Sequence, residues 1–340
     1  MYKTNIDTTY NNNTTKTGLM TKKIINWSEY NKSLVRRGDL SIFISEDVIK
    51  NGRIVLPQKT GKPGRPQEYS DALIELILTV RVLFRLPLRQ VTGFARFLFY
   101  TMGITSKLPD YTTLGKRMGH LNVRYLDQQT QVTGGVVMLI DSSGFKVFGE
   151  GEWMVRKHGA THGRTWRETH IAIDYNTRDI IGLINTTAHV HDNTQLKPLL
   201  KQVQDNGYKV KTLIGDGAYD SKDNYLLGRK HHFEMIAPPR KGAIEHLNTG
   251  RNHQWYDTPG WEERNAAIRH IEEYGIDGWM ADVEYHRRSL VENAFYRLKT
   301  IFGDHLQSRK EPTQYTEQCL KAKIINQFNQ LGLPKYEWVR

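Results

Sequence analysis

The stretch VVMLID (136–141) is a continuous apolar run of strand length closed by an aspartate, and VKTLIGDGAYDS (210–221) repeats the arrangement around Asp216. Short apolar runs without a helical period, bounded by turn formers, predict strands buried on both faces. Around them lie HIAID (170–174) and DIIGLINTTAHV (179–190), a strand pair about a turn at Tyr175-Asn176-Thr177. A helix from Asn193 to Val203, another over about 222–230, and a strand in FEMIAPP (233–239) follow. An irregular polar stretch containing Trp255 and Trp261 leads into a long amphipathic helix, expected from about Asp282 to Phe302. Strands alternating with helices predict an α/β sheet covered by helices.

Asp141 and Asp216 are each expected at the end of a buried strand, where α/β sheets gather ligand-binding groups. Taken singly, each aspartate also fits ordinary turn chemistry, since Ser142-Ser143-Gly144 and Gly217 follow them. A third carboxylate comes from the long helix. At about 100° per residue, Arg288, Glu292 and Lys299 fall at about −60°, −20° and −40° from Tyr285, one polar stripe along one face. The same stripe also fits a solvated charged face with an i,i+4 Arg288–Glu292 pair. Three converging carboxylates without thiols suit a hard cation, Mg²⁺ or Mn²⁺. Two such ions about 3.5–4 Å apart would clamp the attacking and leaving oxygens of a phosphoryl displacement. Arg288 and Lys299 would hold phosphates, and Tyr285 would bond a phosphate or stack on a base.

The 340 residues carry 48 Lys and Arg against 36 Asp and Glu, a formal charge of +12. Residues 1–130 hold 20 basic and 10 acidic side chains, whereas the remainder is nearly balanced at 28 and 26. A basic segment joined to a neutral one points to a polyanion-binding part tethered to another function, although many soluble proteins are basic without binding nucleic acid. Residues 1–25 are expected to be a disordered Asn/Thr-rich tail, and NGRIVLPQKTGKPGRP (51–66) an exposed connection. Ser70 should cap a helix running from Leu73 to Leu86, which Pro87 interrupts before a second helix from Leu88 to about Gly103. Arg81, Arg85, Arg89 and Arg96 are spread along this pair as possible DNA-binding residues. Either a helix-turn-helix or a plain hairpin with solvated arginines fits them. A third helix should follow Asp110-Tyr111-Thr112, with Thr112 as cap.

A single cysteine, Cys319, excludes internal disulfides, a Cys-rich zinc module and an iron–sulfur cluster. The longest apolar stretch is broken by Glu75, Arg81 and Arg85, so no membrane span is expected, and a cytoplasmic protein is the expectation. Asp220 competes with Asp216 as a ligand, but Asp216 directly follows the strand. His189, His191 and Asp192 read as a polar strand end, and His231-His232 as a solvated helix end. His158 and His162 sit among Arg156, Lys157, Arg164 and Arg167, where phosphate contact is a minority possibility.

The spacing Tyr285, Arg288, Glu292, Lys299 resembles the Tyr-Arg-Glu-Lys signature of bacterial insertion-sequence transposases with an Asp-Asp-Glu active site. GRPQEYSDALIE (64–75), LPLRQVTGF (86–94), PDYTTLGKR (109–117), GEGEWMVRKHG (149–159), RTWRETHIAIDY (164–175), DGAYDS (216–221) and YHRRSLVENAFYRLKTIFGDHLQSR (285–309) are similar to that family too. Together they cover roughly residues 25–330. The resemblance implies a ribonuclease H-like catalytic core over 131–340 with an insertion at about 240–280, preceded by a basic helical DNA-binding region over 26–130. It implies Asp141, Asp216 and Glu292 as catalytic metal ligands for two Mg²⁺ or Mn²⁺ ions, with Tyr285, Arg288 and Lys299 at phosphate. The expected activity is cleavage and strand transfer at terminal inverted repeats by a homodimer acting on double-stranded element and target DNA.

Overall fold

The computed structural model describes residues 21–44, 46–52, 67–104, 107–126, 134–147, 166–249 and 255–339. The tail up to residue 20, most of the 51–66 connection, His158 and His162 lie outside them. At the chain's extremities β1 (Thr21–Ile24) pairs antiparallel with β10 (Tyr336–Val339), so residues 21–24 of the expected tail form a strand.

The main sheet is mixed. Its order is β4 (Ile180–Thr187), β3 (Trp166–Asp174), β2 (Val136–Val147), β5 (Val210–Ile214), β6 (Glu234–Ile236). The first three strands are antiparallel to their neighbours, whereas β5 and β6 run parallel to β2. A short β9 (His305–Leu306) joins the far end of β2. Strand side chains alternate between faces. Val136, Met138, Ile140 and Ala172 therefore pack on α6 (Asp192–Asp205), while Leu139, Phe145, Ile171 and Ile173 join the larger cluster on the opposite face.

That larger cluster is built on α9 (Ser289–Phe302) and α10 (Glu311–Leu331), and it continues without a break into the N-terminal helices. These are α3 (Asp71–Leu83), α4 (Leu88–Thr101) and α5 (Tyr111–Met118), preceded by α1 (Trp27–Arg36) and α2 (Glu46–Asn51). Ser70 caps α3 through its bond from the Leu73 amide, and Pro87 stands at the start of α4, where its missing N–H costs nothing. Asp110, not Thr112, caps α5: its carboxylate accepts from the Thr113 amide and the Thr112 hydroxyl, both at 2.7 Å. α7 (Lys222–His231) leads into β6, and between β6 and α9 lie an antiparallel pair of two-residue strands, β7 (Asn248–Thr249) with β8 (Trp255–Tyr256), and α8 (Trp261–Asp282), broken at Gly275.

α10 is buried nearly all round, and its polar residues act as fasteners. The Asn326 amide accepts from Ile180 N (2.8 Å) and donates to Ile180 O and Tyr125 O, completing the edge of β4. Glu317 accepts from the amides of Gln307 (3.0 Å) and Ser308 (2.9 Å) and ion-pairs with Lys321 at 3.1 Å. Arg81 of α3 faces the same carboxylate. Burial pushes Glu317 toward its neutral form, but Lys321, Arg81 and the bonds from residues 307 and 308 prevail and hold its pKa below the ordinary value. Glu317→Gln should therefore destabilise the fold by about 3 kcal/mol in urea unfolding, because Lys321 is left charged and buried. The double variant with Lys321→Met should cost less than the sum of the two single changes.

Candidate active site

The site begins with an interruption in strand pairing. On one edge of β2 the parallel pairing with β5 ends at Leu139↔Ile214, and pairing with β9 resumes only at Lys146↔His305. Between these points that edge has no strand beside it among the described residues. Asp141 projects there on the α9 face, with Leu139 before it and Ser143 and Phe145 after it. It lies in the middle of a twelve-residue strand, not at a strand end as expected, because β3 pairs with β2 from Met138 to Lys146. Asp216 does follow its strand. Gly215 precedes it, where a Cβ would stand 2.8 Å from the Tyr219 ring and 3.1 Å from Ile140, so only glycine lets the chain pass. The Asp216 carboxylate accepts from the Ala218 amide at 2.9 Å and starts a 3-10 turn, Gly217–Tyr219.

The expected helix from Asp282 to Phe302 is broken. Glu284 adopts a left-handed conformation (φ 52°), and its carboxylate pairs with Arg287. Tyr285–Arg288 forms a 3-10 turn, and α9 starts at Ser289. Tyr285 and Arg288 thus precede the helix that carries Glu292 and Lys299. The turn still keeps Arg288 beside Glu292. Val291, Ala294, Phe295, Leu298 and Phe302 are buried, which turns Glu292 and Lys299 toward the open edge of β2.

Arg288 stands between two of the acids. Its Nη1 ion-pairs with Glu292 Oε1, and its Nη2 lies 3.8 Å from Asp141 Oδ2. Burial raises the Asp141 carboxyl to about 6; Arg288 and the Ser142 amide oppose the rise, while Asp216 and Glu292 add to it. Lys299 Nζ donates to Ser143 Oγ at 2.6 Å and lies 5.3 Å from the centre of the Phe145 ring. Tyr285 is half-buried against Trp279, with ring centres 5.8 Å apart, and burial pushes its hydroxyl up to about 12. An oxygen-only donor set in which neighbouring anions raise the pKa of a buried carboxyl fits a hard cation. Among the described residues, however, no three His, Cys, Asp or Glu side chains stand close enough together to hold a metal ion.

The structure removes Arg81 from the possible DNA contacts. It is 4% exposed, its Nη1 lies 3.6 Å from the Met118 sulfur, and it serves the Glu317 cluster. Arg85 is exposed, but its guanidinium lies against Gly303 at the end of α9. Arg89 and Arg96 are exposed on α4 beside Phe97 and Tyr100, which are 65% and 79% exposed. Asp220 is occupied elsewhere: Arg264 of α8 bonds both its oxygens, at 3.1 and 3.0 Å, and so anchors the segment after β6. Trp261 helps by stacking on His246 at 4.0 Å.

Three residues gain a place that the sequence reading had not assigned. Ser143 holds Lys299, and its signal was its position two residues after Asp141 on the same strand face. Glu168 on β3 takes a bond from Ser142, and burial raises its pKa. Buried His170 bonds Thr186 Oγ1 at 2.9 Å, and its Nδ1 is 3.5 Å from Asp192. A cleft of about 670 Å³ lined by Glu168, Asp192, Ala218 and Arg240 opens beside the Asp216 turn.

Comparison with known proteins places this chain in a family. Residues 133–327 match the Transposase DDE domain, as does the overlapping stretch 35–150 in a second form of that domain. The chain belongs to the family of DDE-domain transposases, whose activity is DNA transposition and recombination. An uncharacterized protein of Aquifex aeolicus (strain VF5) is 26% identical over 267 residues, 74% of each chain. The Drosophila P element transposase strand transfer complex is 12% identical over 89% of this chain and 87% of its own, with a TM-score of 0.30, too slight a likeness to bear on the fold. No helix among the described residues is long and apolar enough to cross a membrane.

The raised Asp141 pKa has a stability consequence. A folded-state pKa near 6 against an ordinary 3.8 means no penalty below pH 4 and a full one above pH 6. At about 1.4 kcal/mol per unit, Asp141→Asn should stabilise the metal-free protein by about 2–3 kcal/mol at pH 7.5. The gain should shrink to nothing near pH 4, as followed by urea unfolding at the two pH values.

Proposed function

We propose that this transposase carries out metal-dependent cleavage and strand transfer at the terminal inverted repeats of a bacterial insertion sequence, in the branch with the Tyr-Arg-Glu-Lys signature. The observation that carries this reading is the Arg288 guanidinium at the open edge of β2, ion-paired with Glu292 and 3.8 Å from Asp141, whose carboxyl also feels the charge of Asp216. Lys299 is alongside on Ser143. Three antiparallel strands followed by two parallel ones, with an acid on the first and another after the fourth, support a ribonuclease H-like core over residues 131–340. The hairpin and α8, which Asp220 and Arg264 bolt to the core, support an insertion at about 240–280.

Asp141, Asp216 and Glu292 would hold Mg²⁺ or Mn²⁺, two ions in the full complement. Bound there, the ions supply charge stabilisation and an activated oxygen nucleophile for in-line displacement at phosphorus. The chain's own contribution is placement. Lys299, fixed by Ser143 and the Phe145 ring, presents a point charge to a phosphate, and Arg288 offers a bidentate fork. Tyr285, whose hydroxyl stays protonated at neutral pH, donates a hydrogen bond. A homodimer holding two element ends in the cytoplasm completes the reading.

Asp141→Asn, Asp216→Asn and Glu292→Gln should each reduce Mg²⁺-dependent cutting of end-bearing DNA to background while DNA binding persists. Wild-type cutting that fails to join pre-cut ends would make the protein a nuclease, and metal-dependent cutting by Asp141→Asn at the wild-type rate would end the acid assignment. The basic region over 26–130 would hold DNA through the exposed face of α4. Arg89→Ala and Arg96→Ala should each weaken binding to all sequences alike and lower the salt dependence, log Kd against log salt, by about one unit of slope.

A further inference from the structure

We propose that Arg288 is the internal countercation of the acid triad, competing with divalent metal for Asp141 and Glu292 and passing to a DNA phosphate when metal and DNA bind together. The inference rests on the reading of these acids as metal ligands. Among the described residues, Arg288 is the one cation that ion-pairs with a triad acid, and it faces two of them. Lys299 is occupied differently, with its ammonium on Ser143 Oγ and over Phe145. The charge that offsets Asp141 and Glu292 in the folded chain is therefore the guanidinium, placed between the two carboxylates.

Three features suit Arg288 to leave. Its hold on Asp141 is long, 3.8 Å from Nη2 to Oδ2, beyond hydrogen-bond distance, so that side of the contact is readily given up. Its Nε is buried without a hydrogen-bond partner, so the present arrangement uses only part of its donor set. A guanidinium fork also fits phosphate as well as carboxylate, so the contacts it gives up can be replaced on DNA. Glu292, 56% exposed on its side chain, is free to turn once released. Metal and DNA should then bind with positive coupling, since each removes a competitor of the other.

The test is a titration of the DNA-free, full-length protein with Mn²⁺, following free ion by electron paramagnetic resonance. Arg288→Gln should bind Mn²⁺ about tenfold more tightly than wild type, equivalent to about 1.4 kcal/mol. Lys299→Gln removes the same charge from nearby and should change affinity less than about twofold, because that ammonium does not contact the acids. A nicked duplex oligonucleotide should tighten Mn²⁺ binding to wild type but not to Arg288→Gln. Equal or weaker binding by Arg288→Gln, or equal gains from both variants, would overturn the proposal. If Arg288→Gln does not fold, the duplex effect on wild type decides: no tightening overturns it. Asp141→Asn separates the two levels. If it weakens Mn²⁺ binding while Arg288→Gln gains nothing, only the countercation role falls; if it leaves binding unchanged, the metal assignment falls as well.

Discussion

Everything at the site depends on how one strand is paired. β2 is held along one side by β3, which keeps it straight and extended past Asp141. On its other side it exchanges one partner for another, β5 up to Leu139 and β9 from Lys146. A strand edge between two such partners cannot be closed by backbone, so side chains from elsewhere must fill it. The turn after β5 delivers Asp216 to the gap, and α9 lies across it with Glu292 and Lys299. The polar side chains that meet there are the ones left over when Leu139, Phe145, Phe295 and Leu298 are buried. The packing and the chemistry are two consequences of a single change of partner.

The second constraint is α10. Its side chains bond to β3, β4, the segment after β9 and the N-terminal helices, so a helix of unusual polarity is buried without leaving those groups unpaired. Such a helix is worth more as a specifier of arrangement than as a source of stability, since buried ion pairs return little over an apolar replacement. On the proposed function, in which DNA is held by one region and cut at another, arrangement is what counts. The helix α3, whose Arg81 reaches the Glu317 cluster, is directly followed by α4, with its exposed arginines and aromatics. The exposed face of α4, proposed above to hold DNA, is thereby referred to the same frame as the acids.

The sheet was legible in the sequence because buried strands announce themselves. VVMLI, HIAID and VKTLI are short, rich in β-branched residues and bounded by turn formers, and the acids beside them are conspicuous. What was not legible depends on tertiary pairing. Asp141 looks like a strand end from its neighbours, because Ser142-Ser143-Gly144 reads as a turn, but the strand continues for as long as β3 accompanies it. The helical stripe from Tyr285 assumes α geometry, and a single residue in the left-handed region, Glu284, is enough to replace it with a tighter turn. Arg81 shows the same limit from the other side. Among apolar neighbours on α3 an arginine reads as solvated unless its partner is known, and Glu317 is over two hundred residues away. Ser143 escaped notice for a different reason: a serine carries no chemistry until a lysine is seen resting on it.

On the proposed reading, Arg288 and Lys299 divide a task that neither could perform alone. A lysine can be parked on a hydroxyl and an aromatic face because its ammonium is a compact charge that needs few directed partners. Parked there, Lys299 raises the local potential without closing the space between the carboxylates. An arginine can rest on a ring as well, as Arg287 does over Tyr175 at 4.7 Å, but it still carries five directed N–H donors. Its planar fork seeks oxygens, and the oxygens within reach of Arg288 are those of Asp141 and Glu292. With the residues exchanged, a lysine at 288 would satisfy the acids less completely, and a guanidinium at 299 would demand more than one serine hydroxyl. Burial makes the difference matter. Asp141 is already pushed toward protonation by its surroundings and by two neighbouring anions. On the proposed reading, the positive charge is movable at Arg288, between carboxylate and phosphate, and fixed just beside it at Lys299.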